Sequence, residues 1–360
     1  MAGVFRFSNA VSNIEKFIDT YKRLYGHFAS TSEAGEYFGH AEAAEFLAMN
    51  GLASSLGAIG EEALNRSTRD DKSRDPLYNQ HKSYSEMFRM LGWYEPGNMQ
   101  TNFKLSEYGS YIAETKDMNI LRKLFSLNIL HIVSPNPLTT VKGYNVLRPF
   151  PLILKLMLKL DGIIARDEMI LGVLACEDDT IPNVLNDTVK MIKELRSTGR
   201  KSSLDEAILR LRQRQNLGSA ATLGNYTRFP IAALKWVGWA TGENKRGVYG
   251  NATIKVLQFT TEGRNMANRI ISMPDVRYEF LKKYSEREIA AFVALSNLTK
   301  LSFVGFDIGD YSLAIPNLKQ LCKQIITDFE LDDDEYLFFG YQEAPRDILS
   351  VSDTILEELT

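Results

Sequence analysis

Cysteine is scarce in this sequence of 360 residues, and its two copies, Cys176 and Cys322, lie far apart. Without a Cys-x-x-Cys pair, the sequence favours neither a disulfide framework nor a zinc site. The four histidines never occur four residues apart, so no metal-binding pair on one helix face is predicted. This cysteine usage fits a reducing, cytoplasmic compartment.

Long apolar segments are missing as well. No run of about 18 or more apolar residues occurs, so no membrane span is expected. The first six residues, MAGVFR, do not form a basic segment followed by an apolar one, so no signal peptide is predicted. A hydrophobic content of 44% and a charged content of 24% are ordinary for a soluble protein with two or three compact units.

Sequence signatures of catalysis are equally sparse. Neither Gly-x-Ser-x-Gly nor the phosphate-binding Gly-x-x-x-x-Gly-Lys-[Ser/Thr] occurs. Restriction-type nucleases hold Mg²⁺ with an acid and an acid-x-Lys motif on a buried strand. Acid-x-Lys occurs at Asp70/Lys72, Glu114/Lys116 and Glu243/Lys245, about as often as chance predicts and never after an apolar strand. The sequence therefore identifies no catalytic residue, and we predict no metal site and no cofactor for this chain.

A repeated pattern is the most informative feature that is present. Residues 90–94 (MLGWY) are followed by a polar stretch and then by residues 103–113 (FKLSEYGSYIA). Residues 236–240 (WVGWA) are followed by a longer polar stretch and then by residues 257–267 (LQFTTEGRNMA). Each copy ends a helix at Gly-Trp, passes through a hairpin, and restarts a helix at [Ser/Thr]-x-x-Gly. This order is typical of a winged helix.

The helix before each Gly-Trp is predicted to contact DNA, because winged helices place this helix in the major groove. The two helices are expected at 77–91 and 222–237. Basic side chains neutralise phosphates, and amide and hydroxyl groups bond base edges. The predicted contacts of the first helix are Gln80, Lys82, Ser83 and Arg89. Those of the second are Thr222, Asn225, Thr227, Arg228 and Lys235. Winged helices also serve as protein–protein modules, which is the alternative interpretation.

Charge is distributed unevenly along the chain. The net charge is −3, but residues 328–360 hold eleven acids and one base, so the remainder carries +7. A basic body suits phosphate contact, although scatter in surface charge would give the same count. The second hairpin is expected to be mobile and basic, and a dense basic run precedes it. The phosphate contacts predicted in these two segments are Arg200, Lys201, Arg210, Arg212, Arg214, Lys245, Arg246 and Lys255.

The order of these parts resembles the DNA-recognition region of type IIS restriction and nicking endonucleases of the AlwI kind. The residues that carry the resemblance lie within about 40–275 and are 103–113, 121–125 with 134–135, 148–175 and 226–238. The resemblance implies two winged-helix subdomains that read an asymmetric site, a helical linker, and a separate Mg²⁺-dependent nuclease domain. That domain would follow Thr360 or belong to a separate subunit, with a cognate methyltransferase in the same system.

The sequence therefore predicts a mainly α-helical protein with small β wings. The N-terminal helices and a first winged-helix subdomain are expected in 1–140, a second subdomain in 145–275, and a connector with an acidic tail in 276–360. The expected function is sequence-specific binding of double-stranded DNA by a monomer, as part of a restriction-type endonuclease. The alternatives are a tandem winged-helix transcriptional regulator and a complete Mg²⁺-dependent nuclease with an unrecognised active site.

Overall fold

The structure is a computed structural model. The residues it describes are 3–7, 11–31, 38–67, 75–94, 102–105, 107–130, 132, 134, 145–217 and 219–270. The predicted connector and acidic tail at 276–360 lie outside the described residues, as do Asp70, Lys72 and the tip of the first hairpin.

Helices dominate the described residues, which confirms the expectation of a mainly α-helical chain with small β elements. The helices are α1 (Ile14–Thr31), α2 (His40–Met49), α3 (Gly60–Asn65), α4 (Pro76–Met90), α5 (Glu107–Glu114), α6 (Met118–Leu130), α7 (Pro149–Lys159), α8 (Arg166–Met169, continued by a π-helical turn, Ile170–Leu174), α9 (Val184–Ser197), α10 (Lys201–Gln215), α11 (Ala220–Tyr226), α12 (Arg228–Trp236) and α13 (Thr261–Ile270). The strands are β1 (Phe38–Gly39), β2 (Asn102–Phe103), β3 (Ile163–Ala165), β4 (Ala240–Gly247) and β5 (Gly250–Phe259). Of the described helices, none is long and apolar enough to cross a bilayer.

The two halves of the chain place their strands in the same order. In the second half the antiparallel sheet runs β3-β5-β4, so its first strand pairs with its last. In the first half β1 pairs with β2, Phe38 lying opposite Phe103, and Tyr94 forms an antiparallel bridge with Leu105. Helices α9, α10 and α11 are inserted in the second half between α8 and α12. The sequence repeat therefore corresponds to a repeat in topology.

The predicted first helix is confirmed, whereas the second is divided in two. Helix α4 starts at Pro76, where the Asp75 carboxylate accepts bonds from the backbone N–H groups of Leu77 and Tyr78 at 2.9 and 3.0 Å. The span 222–237 is broken at Thr227 into α11 and α12. Pro230 consequently lies in the first turn of α12, where its missing N–H costs no helical hydrogen bond.

The repeated glycine of [Ser/Thr]-x-x-Gly has a packing role in both halves. A Cβ atom on Gly263 would lie 1.8 Å from the carbonyl oxygen of Trp239, and one on Gly109 would lie 2.4 Å from that of Trp93. Each helix therefore starts directly against the Gly-Trp turn, at a distance that only glycine permits. In the second half the Thr260 hydroxyl also donates to the Gly238 carbonyl at 2.6 Å, which joins the turn to the start of α13.

One aromatic cluster joins the two halves. The ring of Phe229 on α12 lies 5.4 Å from Phe7, 6.3 Å from Phe17, 6.4 Å from Phe125 and 6.0 Å from Phe150, measured between ring centroids. These rings come from the N-terminal segment, α1, α6 and α7, and all are buried. The division into subdomains near 140–145 stays a prediction, but the two halves are packed on a shared core.

We expect Gly263→Ala to lower the free energy of unfolding by at least about 2 kcal/mol, because the new methyl group overlaps a backbone carbonyl. Gly26→Ala in α1 is the matched control, since a Cβ atom there meets nothing within 4 Å. Alanine should leave that helix unchanged or stabilise it by up to about 1 kcal/mol. Urea denaturation measures both variants, and equal effects would contradict the packing role.

Candidate nucleic-acid interface

Helix α12 has one buried face and one basic face. Phe229, Ala233 and Leu234 point into the core. Arg228 and Lys235 are exposed, and a spacing of seven residues places them on the same side of the helix, about 10 Å apart. The buried face fixes the helix to the shared core, so the basic face points to solvent.

The β4–β5 hairpin extends this basic face. Along β5, Ile254 and Val256 pack with Leu204 of α10, whereas Leu257 joins the core around α12. Successive strand residues alternate between faces, so Lys255 lies on the α12 side with Leu257. On the paired strand, a Cβ atom on Gly242 would lie 3.5 Å from Cδ of Lys235.

Arg246 reaches the same side of the hairpin. Its Nε donates to the Thr253 hydroxyl at 3.2 Å, and Thr253 alternates with Ile254 and so shares the face of Lys255. None of the ion pairs between described residues involves the four cations of this surface. We call the surface formed by Arg228, Lys235, Arg246 and Lys255 the α12 face.

The other acidic and basic side chains of the hairpin lie on its opposite side. Glu243 and Lys245 alternate with Asn244, which pairs with Lys255 across the hairpin. The Lys245 ammonium donates to Oε1 of Gln258 at 3.0 Å. Residues 220–259 contain five basic side chains and one acid, and that acid is Glu243. The α12 face is therefore locally positive although the whole chain is slightly acidic.

A buried ionic network holds the hairpin at its turn. The Glu168 carboxylate, which is fully buried, accepts hydrogen bonds from Arg196 at 2.7 Å and from the Tyr249 hydroxyl at 2.8 Å. Burial and the Glu168 charge raise the pKa of Tyr249, so its hydroxyl stays protonated and keeps donating. Gly250 abuts the Gly199 carbonyl, from which a Cβ atom would lie only 2.2 Å away. The expected mobile hairpin is thus anchored to α8, α9 and the α9–α10 turn.

The side chains of α4 that were predicted to contact DNA differ in their exposure. The predicted DNA contact of Arg89 is corrected, because this side chain is only 2% exposed and its guanidinium lies 4.5 Å above the Phe103 ring. Gln80 is half-buried and bonds the Leu52 carbonyl and the Ser54 N–H, both at 3.4 Å. Lys82 is exposed and Ser83 is half-buried. With Glu86 on the same side of the helix, α4 offers a narrow surface of nearly neutral charge.

The predicted contacts of α11 are partly used within the fold. The predicted DNA contact of Thr227 is corrected, because this residue is fully buried. Its hydroxyl donates to the Gly224 carbonyl at 2.8 Å and closes the turn between α11 and α12. Thr222 is half-buried, and its backbone N–H donates to the Ser219 hydroxyl, which caps α11, at 3.2 Å. Asn225 is half-buried.

The basic run on α10 is partly neutralised. Lys201 pairs with Asp205, and Arg210 lies 3.8 Å from Glu206. Arg200 and Arg214 are exposed, and Arg212 is half-buried. Because Leu204 packs with Ile254 and Val256, α10 begins on the side of the hairpin opposite to Lys255. The structure therefore does not bring this run onto the α12 face.

Two arginines that the sequence pattern did not single out lie at the ends of α12. Arg6 is exposed, and its guanidinium lies 5.8 Å from the ring centroid of Tyr226, just before the helix. Arg122 of α6 is also exposed and lies 5.8 Å from the ring centroid of Trp236, the last residue of the helix. Their distance from α12 in sequence left no local signal that could have revealed them.

Two histidines also come together although the sequence scatters them. Nδ1 of His40 lies 2.7 Å from Nδ1 of His81, and both rings are buried. One nitrogen must donate and the other accept, so the pair requires complementary tautomers. Burial, His40 and Arg89 hold the pKa of His81 well below its usual range. Among the described residues no group of three or more His, Cys, Asp or Glu side chains could hold a metal.

No protein-family model and no curated protein sequence matches this chain. The resemblance to type IIS recognition regions therefore stays an expectation. Any functional assignment depends on the α12 face itself, meaning its charge, its rigidity and its position on an exposed helix and hairpin.

Arg196→Met should lower the free energy of unfolding by about 3–5 kcal/mol, because it leaves the buried Glu168 carboxylate without its cation. Arg210→Met is the matched control, since its pairing with Glu206 is exposed and should contribute no more than about 1 kcal/mol. Chemical denaturation of both variants measures the difference. A loss for Arg196→Met no larger than that for Arg210→Met would show that the buried Glu168 carboxylate does not depend on Arg196.

The stability of the protein should fall as pH drops below about 6.5, because the unfolded chain binds a proton at His81 that the folded chain excludes. The His81 contribution is fully present above that pH and declines by up to about 1.4 kcal/mol per pH unit below it. Urea denaturation from about pH 8 to about pH 5.5 compares the wild type with His81→Asn. Equal pH dependence in the two proteins would contradict the assignment.

Proposed function

We propose that both halves are winged helices and that the second half binds double-stranded DNA through the α12 face. In this arrangement α12 enters the major groove and the β4–β5 hairpin is its wing. The strand order β3-β5-β4, with α12 directly before the hairpin, supports the assignment. The repeated contact of Gly109 and Gly263 with the Gly-Trp turns supports extending it to the first half.

The single observation that carries the proposal is the isolation of the cations on the α12 face. Arg228 and Lys235 project from one side of the helix, and Arg246 and Lys255 continue the surface along the hairpin. Phosphate recognition requires such cations without competing carboxylates, and a helix of nine residues, about 14 Å long, fits a major groove about 12 Å wide. The half-buried Ala232 lies between the two helix cations, where it can meet a thymine methyl group.

We further propose that this DNA binding serves a restriction-type endonuclease. The resemblance to type IIS recognition regions supports this, and it places Mg²⁺-dependent cleavage in a separate nuclease domain or subunit, with a cognate methyltransferase. The two halves present unlike surfaces, nearly neutral on α4 and basic on α12, which suits an asymmetric target bound by a monomer. A transcriptional regulator would bind DNA through the same α12 face. The two roles therefore differ in whether the bound DNA is cleaved.

The α12 face can be tested with duplexes selected from a random pool by the full chain. Arg228→Ala should weaken binding to the selected duplex by about 1–3 kcal/mol if it contacts a base. Lys255→Ala should weaken binding to all duplexes and reduce the salt slope by about 0.9, as expected for one lost phosphate contact. Lys245→Ala is the matched control, because it removes the same charge from the opposite side of the hairpin.

An unchanged salt slope in an Arg228, Lys235, Arg246 and Lys255 quadruple alanine variant would overturn the α12 face as a DNA-binding surface. Incubating the selected duplex with the chain and Mg²⁺ tests the second part of the proposal. Binding without cleavage is expected. Site-specific cutting or nicking by this chain alone would contradict the assignment of cleavage to a separate domain or subunit.

A further inference from the structure

We infer that Arg6 and Arg122 are phosphate contacts at the two ends of α12, so that both halves of the chain build one DNA-binding face. This inference rests on the proposed function and extends it to residues in the first half. It adds two residues of the first half to the α12 face, which is then made from three distant segments of sequence.

The position of Arg6 is fixed by its neighbours. Phe5 and Phe7 are both buried, and the Phe5 N–H donates to the Leu174 carbonyl at 2.7 Å. The Phe7 ring lies 5.4 Å from that of Phe229 on α12. With both flanking side chains pointing inward, Arg6 must point outward, where its guanidinium lies against Tyr226.

Arg122 is held in a comparable way at the other end of the helix. Leu121 and Phe125 of α6 are buried, and the Phe125 ring meets that of Trp236 edge-on at 5.3 Å. Arg122 stands on the outer side of α6 against the same tryptophan, at 5.8 Å. Each end of α12 therefore carries an exposed arginine that leans on an aromatic ring.

This arrangement suits a phosphate ligand. An arginine stacked on an aromatic ring loses little of its hydration and keeps the N–H groups at the edge of its planar guanidinium free for a phosphate. The stacking also restricts the side chain before binding, which lowers the entropy lost on contact. No ion pair between described residues involves Arg6 or Arg122.

The rings that the two arginines contact, Tyr226 and Trp236, lie at the two ends of α12. Trp236 is the last residue of α12, which is about 14 Å long, and Tyr226 is the last residue of α11, just before Thr227, the N-cap of α12. The major groove is about 12 Å wide, so a duplex that α12 enters brings phosphates close to both ends of the helix. The ligand of the two arginines is therefore the sugar–phosphate backbone of the same duplex that α12 enters.

The test measures duplex affinity of the full chain as a function of salt concentration. Arg6→Gln/Arg122→Gln keeps most of each side chain but removes both charges, and it should reduce the salt slope by about 1.8 and the affinity by at least about tenfold. Because phosphate contacts carry no sequence information, the loss should be equal for selected and random duplexes. Arg6→Lys/Arg122→Lys restores both charges and should recover the slope.

The control variant is Arg23→Gln/Arg66→Gln, which removes two exposed arginines that are each paired with a carboxylate on their own helix or at its end. Its slope and affinity should equal those of the wild type, and thermal melts confirm that each variant is folded. A wild-type slope in Arg6→Gln/Arg122→Gln, with Arg228→Ala still impaired, would overturn this inference alone. Absence of salt-dependent duplex binding by the wild type would overturn the proposed function.

Discussion

The packing of Phe229 is the constraint on which the rest of the structure depends. This one ring contacts aromatic side chains from the N-terminal segment, α1, α6 and α7, and so it fixes α12 at the junction of the two halves. A helix anchored by one face must present the other to solvent, and on α12 that face carries Arg228 and Lys235. The same packing brings Arg6 and Arg122 beside the helix, because Arg6 precedes Phe7 and Arg122 lies one helical turn before Phe125. The packing of the hydrophobic core thus determines where these charged side chains lie on the surface.

The two halves share a turn but use it differently. In both, a glycine in the first turn of the next helix lies against the carbonyl oxygen of the Gly-Trp tryptophan, so that helix packs directly on the turn. In the second half the Glu168–Arg196–Tyr249 network then ties the far end of the hairpin to α8 and α9. Burying an ion pair contributes little net stability, but it fixes geometry, because any arrangement that breaks it leaves a buried charge. The long hairpin is therefore positioned at both ends, and a basic surface on it keeps a constant shape.

Local features of the fold could be predicted from the sequence, because their causes are local. Gly92 and Gly238 take positive φ angles of 74° and 83°, which L side chains avoid, and both helix ends follow from this. The division at Thr227 was not predicted, because it depends on a side-chain bond to Gly224. The burial of Arg89 was missed for another reason: nothing in the pattern of α4 shows that Phe103 will cover it. The pairing of His40 with His81, and the positions of Arg6 and Arg122, arise only when segments distant in sequence pack together.

Net charge describes this protein poorly, because the fold sorts its charges by position. Residues 200–259 carry ten basic and three acidic side chains, and on this count alone α10 and the hairpin look alike. On α10, however, two of the bases lie one helical turn from the acids that neutralise them. On the hairpin, strand alternation sends Glu243 and Lys245 to one side and leaves Lys255 on the other with Lys235. An approaching polyanion responds to the local field and not to the total. Among the described residues of this segment, the α12 face is the one surface on which a helix and a hairpin together present cations without neighbouring carboxylates.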